Sequence, residues 1–183
     1  METVKGSSPQ ADLPPLPEAV EPTGWAIGDA TGWVSLPRCG LLVGRSRMCD
    51  LSIAGHDISR RHARLTWIQD QPWVIDLGSA NGLLLDGQAV GRSRWPEGLP
   101  LMLGTQTLQI QQREANLPQT MLDAWALLAS QPVNALRDLA GAISCTLEPD
   151  HSFSLTWEDG VGWEELGPLR RTLLDAALSY LAL

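Results

Sequence analysis

The sequence is poor in lysine, in cysteine and in long apolar runs. Its 183 residues include a single lysine and three cysteines, Cys39, Cys49 and Cys145. An odd number of cysteines without paired spacing argues against a disulfide framework or a zinc site. We therefore expect partly buried thiols in a reducing compartment. No apolar run approaches about eighteen residues, and the N-terminus lacks the pattern of a signal peptide. These absences predict a cytoplasmic protein with no membrane insertion.

The net charge is distributed unevenly along the chain. The formal total is −8, with −4 in residues 1–35, +3 in residues 36–113 and −7 in residues 114–183. Acidic flanks would repel a polyphosphate backbone, so nucleic acid is a disfavoured partner. The basic charges of the centre are all arginines, whose planar guanidinium matches a compact anion such as one phosphate group.

The hydrophobic pattern divides the chain into three parts. Residues 1–22 combine five prolines with small and acidic residues, which predicts a flexible tail. Residues 23–113 alternate short apolar runs with glycine turns, and the period of two over Ala63, Leu65 and Trp67 is typical of a half-buried strand. Many short strands at near-regular spacing predict an all-β sandwich or barrel.

Residues 114–183 show a different period and predict a small α+β unit of unknown role. Apolar residues recur at helical spacing over 121–128 and over 132–143, which predicts two short amphipathic helices. Alternation over 153–157, followed by a turn at 158–160, predicts a strand that forms one arm of a hairpin. Pro168 is well placed to begin a final helix.

Three short segments between the β-strands carry residues suited to phosphate chemistry. A phosphorylated side chain brings about −1.5 to −2 charges and three strong acceptor oxygens. Arginine and serine are donors to such oxygens, and an asparagine amide can clamp both the N–H and the C=O of a peptide. The segments are Gly-Arg at 44–45, Ser-Arg-Arg-His at 59–62 and Asn-Gly at 81–82.

The ordered set of these segments resembles the forkhead-associated (FHA) domains. The resembling stretch spans about residues 23–113 and includes LLVGRSRMCDLSIAGHDISRRHARL, WVIDLGSANGLLLDG and LPLMLGTQTLQI. Each motif alone is common, but their order and the strands between them are specific. The resemblance implies a β-sandwich of eleven strands whose loops at one end bind phosphothreonine peptides.

The resemblance assigns the ligand contacts to four residues. Arg45, Ser59 and Arg60 would contact the phosphate, and Asn81 would hold the peptide backbone. Family members prefer threonine to serine because a small pocket receives the γ-methyl group, and a methyl in a fitted pocket contributes about 1–3 kcal/mol of discrimination.

Other positions match the scaffold of the family or depart from it. Gly44 and Gly82 would support the loops, with Gly82 at φ > 0, and His62 would brace the binding loop through hydrogen bonds. The family often has a hydroxyl residue just before the asparagine and a threonine after the glycine, where this chain has Ala80 and Leu83. The first departure bears on affinity and the second on strand packing.

No catalytic residue, metal ligand set or cofactor is identified in the sequence. Ser59 lacks the G-x-S-x-G setting of a nucleophile, and His62 has no nucleophile or acid at a recognisable spacing. Near the C-terminus, residues 145–151 hold several metal-ligating types, for which a turn beside a strand is the preferred interpretation. The chain is therefore not expected to be an enzyme.

Three classes of function remain open from the sequence. The preferred one is a phosphothreonine-binding adaptor or regulator downstream of a Ser/Thr kinase, which recruits a partner through residues 114–183. The alternative is a phosphate-independent scaffold in a bacterial assembly such as a secretion system. A bacterial source with a GC-rich genome is suggested by the composition, in which arginine, alanine and leucine are common and lysine is rare. The third, an enzyme or nucleic-acid binder built on residues 114–183, has no supporting motif.

Thr23 is a candidate internal phosphosite, because it lies beside Glu21 in the predicted acidic tail. Once phosphorylated, it could fold back onto Arg45 and Arg60 or bind a second copy of the chain. The expected partners are therefore a phosphothreonine-containing protein, a Ser/Thr kinase and the chain itself.

Overall fold

The computed structural model describes residues 2–7, 18–20, 22–113, 143–147, 152–157, 166–172 and 175. The helix predicted over 121–128 lies outside these residues, as do residues 132–142 of the second helix. In the part of the chain that is described, no helix is long and apolar enough to cross a membrane.

Fourteen strands and two short helical segments make up the described structure. A 3-10 turn covers Glu18–Val20, and residues 168–172 are helical, as the prediction of a helix from Pro168 requires. The strands are β1 (Glu2–Ser7), β2 (Pro22–Asp29), β3 (Gly32–Pro37), β4 (Leu41–Gly44), β5 (Leu51–Ser52), β6 (Ala63–Ile68), β7 (Gln71–Asp76), β8 (Leu83–Leu85), β9 (Gln88–Val90), β10 (Arg92–Arg94), β11 (Leu101–Leu103), β12 (Gln106–Gln112), β13 (Ile143–Leu147) and β14 (Ser152–Trp157).

Strands β2 to β12 form a sandwich of two sheets, which confirms the predicted eleven-stranded all-β fold. One sheet has the order β10-β7-β6-β4-β5 and the other the order β3-β2-β12-β11-β8-β9. Ala63 and Leu65 on β6 and Leu108 and Ile110 on β12 are buried, while the residues between them are more exposed. This alternation places one face of each sheet in a shared apolar core, as period-two patterns require.

The side chain of His62 links the two sheets inside the sandwich. It is fully buried just before β6 of the five-stranded sheet. Its Nδ1 accepts a hydrogen bond of 3.1 Å from the backbone N–H of Ser59, and its Nε2 lies 3.0 Å from the carbonyl oxygen of Gly82. Gly82 directly precedes β8 of the six-stranded sheet, so one imidazole joins the loops that lead into both sheets.

A third, smaller sheet joins the two ends of the chain. Its order is β1-β14-β13, and both pairings are antiparallel. The strand predicted near 153–157 is confirmed as β14. Its antiparallel partner is the preceding β13, whereas the sequence predicted the hairpin turn after the strand, at 158–160, which lies outside the described residues. The sequence predicted a helix up to Ile143, whereas this residue pairs with Trp157 in the ladder, a setting that suits a β-branched side chain. The sequence also predicted a flexible tail over 1–22, whereas residues Glu2–Ser7 form β1; the division into domains itself stays a prediction.

Residues 166–172 pack against the sandwich through the buried carboxylate of Asp50. The Asp50 Oδ1 accepts the N–H of Arg170 at 3.0 Å, and its Oδ2 accepts the N–H of Leu42 at 2.9 Å and of Leu169 at 3.4 Å. Asp50 therefore caps the first turn of the helix over 168–172, which begins about 120 residues later in the chain. The capped N–H groups belong to the first turn of a helix and would otherwise lack hydrogen-bond acceptors.

Two further bonds fix the same segment to the backbone beside Asp50. The N–H of Gly167 donates to the carbonyl of Met48 at 3.0 Å, and the Nε–H of Arg170 donates to the carbonyl of Cys49 at 2.9 Å. Arg170 is 2% exposed. Burial of this guanidinium requires compensation, which the Cys49 carbonyl and the Asp50 charge provide.

The buried carboxyl of Asp50 predicts a pH-dependent stability. Desolvation raises the pKa of Asp50 from 3.8 to about 6, although the Leu42 N–H and the Arg170 charge oppose this. Between these pH values the unfolded chain has released a proton that the folded chain still holds, so stability falls as the pH rises from about 4 to about 6. We expect wild type to lose ~3 kcal/mol relative to Asp50→Asn over this window, measured by urea unfolding at several pH values. A constant difference between the two proteins would contradict this role of Asp50.

Removal of the His62 imidazole should destabilise the sandwich. In His62→Ala, the Ser59 N–H and the Gly82 carbonyl lose their partner in the interior, which predicts a loss of ~3 kcal/mol in the free energy of unfolding. Chemical denaturation measures it. The exposed His56 provides the control, since His56→Ala should change stability by less than ~0.5 kcal/mol. Equal losses in the two variants would show that His62 has no special structural role.

Candidate functional site

Three loops meet at one end of the sandwich and carry the residues singled out in the sequence. The first loop, residues 45–50, joins β4 to β5 and begins with Arg45. The second loop, residues 53–62, joins β5 to β6 and contains Ser59 and Arg60. The third loop, residues 77–82, joins β7 of one sheet to β8 of the other and contains Asn81.

Backbone hydrogen bonds tie the first loop to the second. The N–H of Arg45 donates to the Ser59 carbonyl at 2.9 Å, and the N–H of Ser46 donates to the Arg60 carbonyl at 3.0 Å. Gly44 makes this approach possible, because a Cβ at this position would collide with the carbonyl oxygen of Arg60. The Nε–H of Arg45 also donates to the Ile58 carbonyl at 3.1 Å, which orients its guanidinium.

The donor and acceptor roles of the two His62 ring nitrogens follow from their partners. A backbone N–H points at Nδ1, so this nitrogen must be the acceptor, and Nε2 must carry the proton that it donates to the Gly82 carbonyl. His62 is fully buried, so its ring is not accessible from the surface; its role in bracing the binding loop stays a prediction.

The third loop is attached to the second by two side chains. The Ser59 hydroxyl oxygen accepts the N–H of Ala80 at 2.9 Å, which leaves its O–H as a donor. The Asn81 Nδ2 donates to the Asp57 carbonyl at 2.7 Å, which leaves its second amide hydrogen and its carbonyl oxygen for other contacts. Gly82 follows at a φ of +72°, the left-handed conformation that the sequence predicted for this glycine.

Asp57 connects the second loop to the β11–β12 turn. Its carboxylate accepts a close hydrogen bond from the backbone N–H of Thr105. The Thr105 hydroxyl and amide hold the pKa of the Asp57 carboxyl below its usual value, so the group is ionised at neutral pH. The loop that carries Ser59 and Arg60 is thus fixed to the first loop, the third loop and a turn of the six-stranded sheet.

An open pocket of about 530 Å³ lies between the first and second loops. The guanidinium groups of Arg45, Arg60 and Arg61 belong to exposed residues, so the pocket is positively charged. The sequence predicted three of its lining residues but missed Ser46 and Arg61, for which adjacency to Arg45 and Arg60 was the available signal. The lining residues are Arg45, Ser46, Ser59, Arg60 and Arg61.

The two departures from the family pattern have visible consequences. Ala80 is exposed and contributes only its backbone N–H, while the nearest hydroxyl in the loop, that of Ser79, accepts the N–H of Gly82 at 3.0 Å. Leu83 is 1% exposed and belongs to the core. The hydroxyl that the family often places before the asparagine is therefore absent at this site.

Thr23 lies in strand β2 rather than in the predicted tail. Its hydroxyl donates to the Leu36 carbonyl at 2.7 Å and accepts the N–H of Trp25 at 3.4 Å. Such bonds within a sheet account for its fixed position. Phosphorylation of Thr23 stays a prediction, and it would require these bonds to break.

The thiols of Cys39 and Cys49 are not activated as nucleophiles. Burial raises the pKa of Cys39 and of Cys49 to about 12 in each case, so both are protonated and poorly nucleophilic at neutral pH. Cys39 is half-buried and Cys49 buried, as the sequence predicted. Within the described residues, no three His, Cys, Asp or Glu side chains are grouped to hold a metal ion.

Comparison with known proteins agrees with the architecture of the site. The FHA domain family matches residues 41–104, a range that contains all three loops. No curated protein matches the chain.

Several solved structures of bacterial proteins match about half of the chain. The FHA domain of CT664 from Chlamydia trachomatis is 20% identical, with a TM-score of 0.45 over 50% of this chain and 98% of that one. EmbR of Mycobacterium tuberculosis, in complex with a low affinity phosphopeptide, is 17% identical, with a TM-score of 0.47 over 50% and 25%. The Slr1951 protein from Synechocystis sp. is 26% identical, with a TM-score of 0.42 over 49% and 97%. The resemblance that the sequence indicated is confirmed, since residues 41–104 match the FHA domain family.

Proposed function

We propose that this protein is a phosphothreonine-peptide-binding adaptor. The observation that carries the proposal is the pocket between the first and second loops, where three arginines and two serines converge on one open space. Its site residues lie in the segment that matches the FHA domain family. Charge-assisted hydrogen bonds from guanidinium groups to phosphate are among the strongest polar contacts that a protein surface can offer.

Each polar group of the pocket has a donor left for the phosphate. The Arg45 Nε–H is bonded to Ile58, so its terminal amino groups remain, and Arg60 contributes a second guanidinium. The Ser59 hydroxyl already accepts the Ala80 N–H, so its own hydrogen can point to a phosphate oxygen. A phosphoryl group would thus receive donors from two loops whose spacing is fixed by backbone bonds.

Asn81 is suited to hold the peptide beside the phosphothreonine. It is exposed, and its bond to the Asp57 carbonyl fixes the plane of the amide. The remaining carbonyl oxygen and amide hydrogen can accept and donate to a peptide backbone in register. This contact is independent of the peptide sequence, so it adds affinity for any peptide whose phosphate enters the pocket.

We further propose that the site acts downstream of a Ser/Thr kinase and recruits a partner through the unit at residues 114–183. Support comes from residues 166–172, which are bonded to Met48, Cys49 and Asp50 in the first loop. A partner that binds at residues 166–172 would therefore lie close to the loop that begins with Arg45. Phosphorylated Thr23 of a second copy is one ligand that such a site could take.

Loss of Arg45 should weaken phosphate-dependent binding. Fluorescence anisotropy with matched degenerate peptide pools that carry phosphothreonine, phosphoserine or threonine should show binding of the phosphothreonine pool alone. Arg45→Ala should weaken it by ~10–100-fold, since a hydrogen bond to a charged group contributes about 1.5–3 kcal/mol. The exposed Arg38 supplies a matched control, because Arg38→Ala removes the same charge from a turn at the other end of β4.

Absence of phosphate-dependent binding by folded wild type would sink the proposal. The sandwich would then be a phosphate-independent scaffold, and the search for function would move to residues 114–183. Equal affinities of Arg45→Ala and Arg38→Ala would show that binding occurs elsewhere on the surface.

Asn81→Ala should weaken binding without changing its dependence on salt. Because Asn81 is neutral, its removal takes away hydrogen bonds to the peptide backbone and no charge, so we expect a loss of ~10-fold in affinity. Titrations at two salt concentrations should give the wild-type slope, whereas Arg45→Ala should reduce the slope. A reduced slope in Asn81→Ala would place this residue at the phosphate instead.

A further inference from the structure

The pocket between the first and second loops is larger than one phosphate requires. Its volume of about 530 Å³ falls in the range of ~300–1,000 Å³ that holds a complete small ligand. A phosphoryl group consists of one phosphorus and its oxygens, so it fills only part of this space. The rest of the pocket must contain solvent or another part of the ligand.

Two of the residues that line the pocket, Arg61 and Ser46, are not among the expected phosphate contacts. Arg61 is exposed and lies at the end of the second loop, next to the residue that bonds the first loop. Its positive charge acts on the Cys49 thiol, which places it beside the first loop. The Ser46 hydroxyl oxygen accepts the Met48 N–H at 3.2 Å, so its own hydrogen is left to be donated into the pocket.

The charge of the pocket exceeds that of one phosphothreonine. The pocket has three guanidinium groups, whereas a phosphothreonine carries about −1.5 to −2 charges at neutral pH. Within the described residues, no carboxylate is paired with Arg60 or Arg61. Counted over these described lining residues, a bound phosphate alone would leave about one positive charge uncompensated, which a second anion of the ligand could neutralise.

We propose that Arg61 and Ser46 form a second anion subsite, which selects peptides with a further anionic group close to the phosphothreonine. This inference rests on the proposed function and names the ligand of the same site. The shared chemistry of the second group is that of an oxyanion, a carboxylate or a second phosphate. A cube with the volume of the pocket has an edge of about 8 Å. This length spans about two residues of extended peptide at ~3.3 Å each. The second anion should therefore lie within two residues of the phosphothreonine.

The test uses the full chain and synthetic peptides of alanine, glycine and serine with one central phosphothreonine. One set has a single aspartate placed one or two residues from the phosphothreonine on either side, and a second set has a second phosphothreonine at the same places. Two reference peptides have no other anion or an aspartate five residues away. Affinities are measured by fluorescence anisotropy at a fixed salt concentration.

Wild type should bind the best-placed acidic or doubly phosphorylated peptide about tenfold more tightly than either reference peptide. Arg61→Gln should lose this gain and still require the phosphothreonine. Arg38→Gln is the matched control and should keep the gain in affinity. The length of β4 separates Arg38 from the pocket by about 13 Å. This distance is longer than the screening length of about 8 Å at physiological salt. A gain from aspartate identifies a carboxylate subsite, and a gain from the second phosphate alone identifies a phosphate subsite; both support the proposal.

Three results would overturn the proposal. If wild type binds all phosphothreonine peptides equally, the second subsite does not exist although the proposed function stands. If Arg61→Gln keeps the gain, the second anion is bound by other residues. Failure of wild type to bind any phosphothreonine peptide would remove the proposed function and the subsite together, so the two hypotheses fail in distinguishable ways. Because Arg61 is exposed, its variant is expected to fold, which circular dichroism can verify.

Discussion

The arrangement of the site depends on one buried imidazole. His62 accepts from the Ser59 N–H and donates to the Gly82 carbonyl, and these two residues belong to loops that enter different sheets. Few side chains could replace it, because the position needs an acceptor and a donor on opposite sides of a compact ring inside an apolar core. The distance between the second and third loops, and hence between Ser59 and Asn81, is set by this ring.

The pocket brings three positive charges together, and the backbone of the first two loops holds them in place. Three arginines line one open space, where their mutual repulsion opposes folding while solvent screens it. Their positions are fixed by main-chain bonds between the first two loops and by the absence of a Cβ at Gly44. For Arg45, the bond from its Nε–H to the Ile58 carbonyl also orients the guanidinium. The result is a charged surface in place before any ligand arrives, which lowers the cost of ordering on binding.

Asp50 connects this surface to a distant part of the chain. Its carboxylate lies behind the first loop and caps the helical turn at 168–172, while Arg170 contacts the Cys49 carbonyl. Both charged groups are almost completely buried, so each is stable only in the presence of the other and its hydrogen bonds. The first loop thus has a pocket on one side and a C-terminal segment on the other.

The sequence alone determined the strands of the sandwich, the order of the site motifs and the left-handed turn at Gly82, because local alternation and glycine conformation are properties of short segments. It could not show that Arg61 and Ser46 enter the pocket, that Thr23 is bonded within a sheet or that Glu2–Ser7 forms a strand with residues from the other end of the chain. Nor could it join Asp50 to Arg170, since no local pattern marks a pair about 120 residues apart. Those features depend on contacts between remote segments, which exist only once the sheets have packed and excluded water from the groups between them.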